Sequence, residues 1–524
     1  MNIQKIFKNA LSNGAAFAVE AISAFVMMPF VVHRIGDSAY GVWILINALS
    51  GYLGFFKLGL RPAVNKHVAQ YKALNQFGLL RDFMQAGLSI YSYCGILILW
   101  ATVILYFSVE HIFTIDPRYL SSVKIIVAMA GVHAVFGLLG TLFGGVISGY
   151  QHYEINAGIE IAVIVLRSLL IFILLPHFPD LLTLATTHFF FTILGYIAAV
   201  IVSQRLAPIR GLKPFKKPSR EAVSAIVKFS LISVGISGIG ILMTYADNII
   251  VGMVLSTAAI THYAVGGRLV TYTNNLLQVL SNVLAPAVSE LNAQKENTAI
   301  RQIMIYGVKA ACFLSFPVLL CLIVQGKEFI QLWMGAGYEI SYYVMVILAI
   351  AAFAALPQQI TNPILYGLGK HKLLLYRSLM EAVLSLVLGY MLGKKYGVIG
   401  VAIGFSLPRT MFRGVIFPIL VYRIVGLNGL EVFMKSYGRI GLASIPFVIA
   451  LVLMKKYEML NSWPTFIMQI VACSSIYLVS SWFLGFTQEE RTNVTKGFWI
   501  RGRNRNASIP SNQIEQVPKE PRKL

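Results

Sequence analysis

NGAAFAVEAISAFVMMPFVVHRIGDSAYGVWILINALSGYLGFFKLGL occupies residues 13–60. It contains most of two apolar runs, 10–32 and 40–60, separated by a short polar stretch around Arg34 and Asp37. Each run is about 20 residues long, enough to cross the ~30 Å hydrocarbon core of a bilayer. Hydrocarbon offers no partner to a backbone N–H or C=O, so a crossing run must satisfy its own hydrogen bonds as a helix. A membrane β-barrel would instead alternate over segments of about ten residues, and that pattern is missing.

The same texture recurs along the chain. Further spans are expected at 86–108, 122–148, 156–176, 181–203, 229–255, 262–287, 303–325, 341–365, 375–393, 397–422, 437–455 and 463–486. The sequence therefore reads as an all-α integral membrane protein of about 14 transmembrane helices, in two six-helix lobes plus two extra helices. Composition agrees. The 524 residues are 57% hydrophobic and only 12% charged, where a soluble chain carries about 25% charged residues. The first run is too long for the apolar core of a signal peptide and has no small-residue cleavage site, so it is expected to remain as a span.

The net charge of +22 is explained by basic loops rather than by nucleic acid. Arg205, Arg210, Lys213, Lys216, Lys217, Arg220 and Lys228 crowd 204–228; Arg61, Lys66, Lys72 and Arg81 follow the second span; Lys370, Lys372 and Arg377 follow the tenth. All three groups follow even-numbered spans, so the positive-inside rule puts both termini in the cytoplasm. Lys394 and Lys395 oppose that assignment weakly. The expected divisions are a lobe at 1–203, a basic linker at 204–228, a second lobe at 229–425, two added spans at 426–486 and a disordered basic tail at 487–524.

An internal repeat is visible at a shift near 224. RPAVNKHVAQ at 61–70 falls on APAVSELNAQ at 285–294. A second echo, at a shift near 218, sets GYQHYEI at 149–155 against GLGKHKL at 367–373. Repeat-built transporters hold their substrate between the halves.

Polar residues spaced three and four apart share one helix face. Four spans carry such a face: Asn13, Ala16, Glu20 and Ser23 in the first; Asn47, Ser50, Gly54, Lys57 and Arg61 in the second; Ser230, Ser233, Ser237, Gly240, Thr244 and Asp247 in the seventh; Arg268, Thr271, Asn275, Gln278 and Asn282 in the eighth. Adding 224 carries the first face onto Ser237, Gly240, Thr244 and Asp247. Polar groups rarely face lipid, so these faces are expected to line a common wet cavity. Small and hydroxyl residues can also glue helices together, which is the competing explanation.

A charge at a helix centre costs about 2.5–3.5 kcal/mol on insertion scales. The charges here are Glu20, Lys57, Glu160, Arg167, Asp247, Arg268, Glu381, Arg409 and Arg413. Arginine binds phosphate bidentately, so a cationic pocket for an anion is one reading; snorkelling and static ion pairs are the other. Lys57, Arg61, Arg268, Arg409 and Arg413, with Asn47, Asn275 and Gln278, are the substrate-binding candidates. Glu20 and Asp247 are the ion-coupling candidates, with an Asp247–Arg268 ion pair as the alternative. Glu160 and Arg167 are expected to neutralise each other or a partner such as Glu381, and His133 and His188 to be packing residues. Gly140/Gly144 and Gly400/Gly404 are expected at helix contacts. Neither a phosphate-binding GxxxxGK[ST] loop nor an HExxH zinc motif occurs, so no enzyme activity, cofactor or metal is expected.

The stretch 13–60 resembles the opening of bacterial polysaccharide flippases through Pro29-Phe30, Gly36, Tyr40-Gly41, Trp43 and Gly59-Leu60. MTYADNIIVGMVLSTAAITHYAVGGRLV at 243–270 resembles the second half of that family through Asp247, Tyr263-Ala264 and Arg268-Leu269. Lys57 departs from the pattern, where an acidic residue commonly precedes the Gly-Leu pair. The family belongs to the multidrug/oligosaccharidyl-lipid/polysaccharide superfamily. Membership implies two lobes, a cavity between spans one, two, seven and eight, and alternating access. The Wzx-type branch implies export of an undecaprenyl-pyrophosphate-linked oligosaccharide for O-antigen or capsule across a bacterial inner membrane. The implied partners are the lipid-linked oligosaccharide, membrane lipid and a polymerase or glycosyltransferase complex, with the last two spans sheltering a lipid tail. A cation-coupled multidrug antiporter and a non-transporting scaffold are the alternatives.

Overall fold

The computed structural model describes residues 3–57, 60–216, 238–282, 284–456 and 462–492. The helices are α1 (Ile3–Ile35), α2 (Asp37–Leu53), α3 (Leu60–Ala73), α4 (Phe77–Ile112), α5 (Pro117–Gly149), α6 (Tyr153–Leu174) and α7 (Leu181–Leu206). Further along come α8 (Gly238–Val254), α9 (Thr257–Asn282), α10 (Leu284–Ala293), α11 (Asn297–Met334), α12 (Glu339–Ala355) and α13 (Thr361–Gly367). The chain ends with α14 (Lys372–Arg409), α15 (Phe417–Val425), α16 (Gly429–Phe433), α17 (Arg439–Lys456) and α18 (Trp463–Ser480).

Ten described helical stretches are long and apolar enough to cross a membrane. One of them, Lys372–Val425, has 54 residues and is two crossings. It folds back at Gly397, where φ 62 and ψ −144 leave the helical region. The two arms pack through glycines: a Cβ on Gly404 would lie 2.5 Å from the Gly389 nitrogen, and one on Gly400 would lie 2.0 Å from the Leu392 carbonyl oxygen. The helix-contact reading of Gly400 and Gly404 thus holds. With α2, α8 and α9, which are shorter or more polar, the set comes to about fourteen crossings. Pro29 does not interrupt the first span; α1 runs straight through it.

In the first half, α5 is the hub, touching α2, α3, α4, α6 and α7, while α1 lies along α6. In the second half, α12 packs on α9, α11 and α14, and α17 and α18 are added against α11.

The halves repeat each other in their turns. Gln151 N–H donates to Ser148 and His152 N–H to Ile147; Gly369 N–H donates to Tyr366 and Lys370 N–H to Leu365. These pairs are related by 369 − 151 = 218, the second of the two expected shifts. Earlier in the halves, Gln76 N–H donates to Tyr71 and Glu296 N–H to Leu291, a shift of 296 − 76 = 220. Packing follows suit: Gly149 is pressed on Val68, and Gly367 on Val288. The expected shift of 224 therefore needs correction over this region. It is four residues too long, about one helical turn, and a slip of one turn keeps the same helix face. At 220, Glu20 corresponds to Gly240 and Arg268 to Ala48. The polar faces survive as faces, but their charged residues are not duplicated.

The halves meet at the α1–α2 and α8–α9 turns. Gly41 is wedged against the backbone of Thr257, where a Cβ would sit 1.7 Å from the carbonyl oxygen. Thr261 Oγ1 donates to the Asp37 carbonyl at 2.7 Å, and the Tyr338 hydroxyl donates to the Asp37 carboxylate at 2.6 Å. Trp333 Nε1 donates to the Phe25 carbonyl at 2.9 Å, and the two rings stack at 5.1 Å. Further along α2, Tyr52 donates to the Leu242 carbonyl on α8.

Residues 487–492, expected to belong to a disordered tail, are ordered, and the rest of that expected tail, 493–524, lies outside the described residues. Thr487 and Glu490 cap a short helical stretch reciprocally: Thr487 N–H donates to the Glu490 carboxylate at 2.6 Å and Glu490 N–H donates to Thr487 Oγ1 at 3.2 Å. This capping box satisfies two otherwise orphaned donors.

Candidate functional site

The lobe junction sets the geometry. Past the Asp37 end, α1 and α9 touch where the Tyr272 hydroxyl reaches the Ala21 carbonyl at 3.5 Å. Arg268 Nε donates to that same hydroxyl at 3.1 Å, and its guanidinium lies 5.3 Å from the Tyr272 ring. Arg268 thus stands on α9 opposite the α1 turn that carries Glu20. Glu20, Thr244, Arg268, Thr271 and Gln278 are all exposed, whereas their helix neighbours Ala16, Ala246, Val270 and Leu277 are buried. Charged and polar groups rarely face hydrocarbon, and these exposed side chains are carried by α1, α8 and α9, helices of both halves.

Glu20 has no carboxylate ion pair within 4 Å among the described residues. Its charge is felt instead by Arg167 on α6, which also contacts His188 Nδ1 at 3.2 Å. Ser23, one turn further along α1, is bonded to Ser168 at 2.8 Å. The first lobe therefore supplies one exposed carboxylate and backs it with a half-buried arginine.

Asp247 behaves differently. The field of Arg409 on α14 reaches it without an ion pair within 4 Å, the buried Tyr263 hydroxyl lies beside it, and Asn248 N–H donates to its Oδ1 at 2.8 Å. The alternative Asp247–Arg268 ion pair is not formed among the described residues.

Arg413 is engaged as well. Its Nε donates at 2.8 Å to Glu381, a carboxylate only 1% exposed. Glu381 is thus partnered from its own half and not by Arg167. Arg377 adds a second cation nearby, donating to Asn362 at 2.9 Å and lying 5.0 Å from the Phe417 ring. Arg413 lies within a π-helical stretch, Thr410–Ile416, a conformation frequent at functional sites.

Asn47 bonds the Trp43 carbonyl of its own helix, and Asn275 is half-buried on α9. The side chains of Lys57, Arg61 and Asn282, and residues Ser230, Ser233 and Ser237, lie outside the described residues. His133 and His188 pack against Phe189, and His188 lies edge-on to Trp43. Sequence reasoning passed over Tyr272, Asn274 and Gln359. Gln359 donates to the Asn274 side chain, tying α9 to the turn after α12. Asn274 lies one residue off the polar face, and Tyr272 is lost among 25 tyrosines.

Residues 185–342 match a family described as Polysaccharide biosynthesis protein. A Shigella flexneri protein named for O-antigen transport is 21% identical over 422 residues, covering 77% of this chain and 94% of its own length. A Klebsiella pneumoniae membrane protein of the cps region is 22% identical over 205 residues, 38% of this chain and 41% of that one. Among solved structures, the lipid II flippase MurJ in an inward closed conformation superposes with a TM-score of 0.65 at 15% identity, covering 91% of this chain and 98% of that one. The chain is thus similar to a polysaccharide biosynthesis family over 185–342 and to an O-antigen transporter along most of its length, and it has the fold of the lipid II flippase. An inward-facing multidrug transporter of the superfamily has the same fold, with a TM-score of 0.61 at 12% identity over 77% of this chain and 94% of that one.

Proposed function

We propose that this chain moves a lipid-linked anionic oligosaccharide, of the undecaprenyl-pyrophosphate kind, from the cytoplasmic to the outer leaflet for surface polysaccharide synthesis. The observation that carries the reading is Arg268. It is an exposed guanidinium in mid-helix, held by Tyr272 and with no carboxylate bound to it among the described residues. An exposed guanidinium held in place by a tyrosine favours a phosphate or acidic sugar by charge-assisted hydrogen bonds. Lys57 and Arg61 would add charge along the same path. The reading requires no catalytic step, and no enzyme activity is assigned.

In this proposal the basic loops face the cytoplasm and both termini lie there, so the Asp37 end faces outward. The Asp37–Tyr338 and Asp37–Thr261 bonds then close the outer side, and alternating access requires them to break. Ion coupling falls to Glu20, which is exposed, whereas Asp247 is half-buried and accepts from Asn248 N–H. A polymerase or glycosyltransferase assembly would collect the product on the outer side.

The test is flipping of a fluorescent undecaprenyl-pyrophosphate oligosaccharide in proteoliposomes, paired with surface-polymer complementation. Arg268→Ala is expected to lower flipping about tenfold or more, the worth of one charge-assisted contact, with protein level unchanged. Undiminished flipping in that variant would remove the cationic-site reading. Gradient-driven drug efflux by the wild type, without glycan flipping, would favour the multidrug-antiporter alternative. Absence of both activities would leave the scaffold.

A further inference from the structure

At the end of the bundle opposite Asp37, two hollows of opposite character lie side by side. One, about 290 Å³, is walled by Lys309, Lys435, Arg439, Tyr306, Thr487 and Glu490. The other, about 340 Å³, is walled by Phe313, Leu478, Val479, Trp482, Phe483 and Phe486. They are joined at one seam. Phe313 lies one turn along α11 from Lys309, the Lys309 ammonium is 5.2 Å from the Phe486 ring, and Phe313 meets Phe486 edge-on at 5.4 Å.

The charge in the first hollow is partly spoken for. Lys309, 3% exposed, is paired with Glu490 at 2.6 Å, and Lys435 with Glu431 at 2.6 Å. Glu489 is also present on the wall. Arg439 is exposed and has no anionic partner among the described residues. Arg491 stands at the seam, donating to the carbonyls of Phe486 and Phe483 at 3.2 and 3.3 Å. The second hollow is apolar, and its rim residues Leu478, Val479 and Phe483 are largely exposed. Water is a poor neighbour for that surface, while an acyl chain suits it.

We infer that this pair of hollows is a binding site for an anionic phospholipid of the cytoplasmic leaflet. The phosphodiester head lies against Arg439 and Lys435, and an acyl chain runs over the Phe313–Trp482–Phe483 surface. Juxtamembrane Lys and Arg attract anionic head groups in this way. The assignment uses the orientation proposed above but not the identity of the transported glycan. It concerns the α11, α17 and α18 face, away from Glu20 and Arg268, so the two readings fail separately.

The test is native mass spectrometry of the full-length protein carrying phosphatidylglycerol or phosphatidylcholine of identical chains. The wild type is expected to retain phosphatidylglycerol preferentially. Lys435→Gln/Arg439→Gln changes only exposed side chains and should lower that retention about fivefold per cation removed, with phosphatidylcholine unaffected. Trp482→Ala should lower retention of both lipids. Equal phosphatidylglycerol retention by wild type and the double variant overturns the site. Inorganic phosphate binding as strongly as the lipid, and with the same dependence on Arg439, overturns it in favour of a soluble anion. Retention that appears only after deletion of residues 493–524 gives the pocket to the chain's own segment and overturns it too.

Discussion

Arg413 and Glu381 show what a single charged residue decides inside the second lobe. Glu381 is buried and depends on Arg413 for a hydrogen-bonded counter-charge. Removing one member of such a pair leaves the other unpaired in low dielectric and costs about 2–5 kcal/mol. Arg413→Ala should therefore lower the thermal midpoint in detergent more than Arg413→Met/Glu381→Leu does, since the double variant leaves no orphaned charge. A greater loss in the double variant would mean the pair stabilises beyond its mutual need. The Tyr338 hydroxyl offers a gentler change. Tyr338→Phe deletes one bond to a carboxylate, worth roughly 1.5–3 kcal/mol, without altering packing. Spin labels placed across α1 and α11 should report a larger population of the separated state at the Asp37 end; an unchanged distance distribution would show that Thr261 and Trp333 suffice. At this scale the sequence was informative about which residues carry charge and poor about which meet. Asp247 and Arg409 are 162 positions apart, as 409 − 247. The hairpin at Gly397 brings Arg409 close enough for its field to reach Asp247, and helix-face reasoning is blind to neighbours on other helices.

The helices themselves were largely legible. Length and hydropathy are local properties, and lipid admits only helix for an apolar run. The division of 375–393 from 397–422 was also readable, because Gly393, Lys394, Lys395 and Gly397 interrupt the apolar pattern. The structure turns there, and the arms close so tightly that Gly404 has no space for a side chain. Gly404→Val is accordingly expected to prevent the hairpin from closing, read as loss of the folded fraction in size-exclusion chromatography. Gly441→Ala, with open space at its Cβ, should be tolerated and serves as the control. Less legible was the chain after the last span. Thr487 and Glu490 form a capping box whose carboxylate also holds Lys309. Burial pushes the Glu490 carboxyl up, yet the Lys309 ammonium and the Thr487 N–H outweigh it and hold the group below its ordinary range. A depressed carboxyl stabilises the folded form above its unfolded pKa, and that stabilisation is lost as pH falls through the depressed value. Hydrogen exchange at 487–492 should therefore be slow at neutral pH and accelerate only in acid below the usual carboxylate range. Acceleration already near pH 6 would be inconsistent with the ion pair.

Seen whole, the molecule is a duplicated bundle whose halves have kept their turns and changed their charges. The repeat was detectable in sequence because Gly149 and Gly367 each had to remain small beneath a valine. Its register was displaced by one helical turn because helix periodicity tolerates that error. The charge asymmetry it concealed is functional in the reading offered here. The first half contributes Glu20 to the space between the lobes, and the second contributes Arg268. Exchanging them, Glu20→Arg with Arg268→Glu, preserves net charge yet should abolish flipping, because each residue acts from its own lobe. Retained flipping would reduce the requirement to charge balance alone.

The wedge of Gly41 on Thr257 and Thr261 has a consequence for how such a chain can change. At the 220-residue register Gly41 and Thr261 are counterparts, since 261 − 41 = 220. In a symmetric pair of separate subunits, one residue type would have to serve both sides of that crossing, and any larger side chain would collide with its own image. A fused chain carries the two positions as independent letters. One has surrendered its side chain altogether, and the other has taken a hydroxyl that bonds Asp37. Fusion thus lets the tightest point of the molecule be asymmetric, so the lobes can adjust how firmly they meet without either having to match itself.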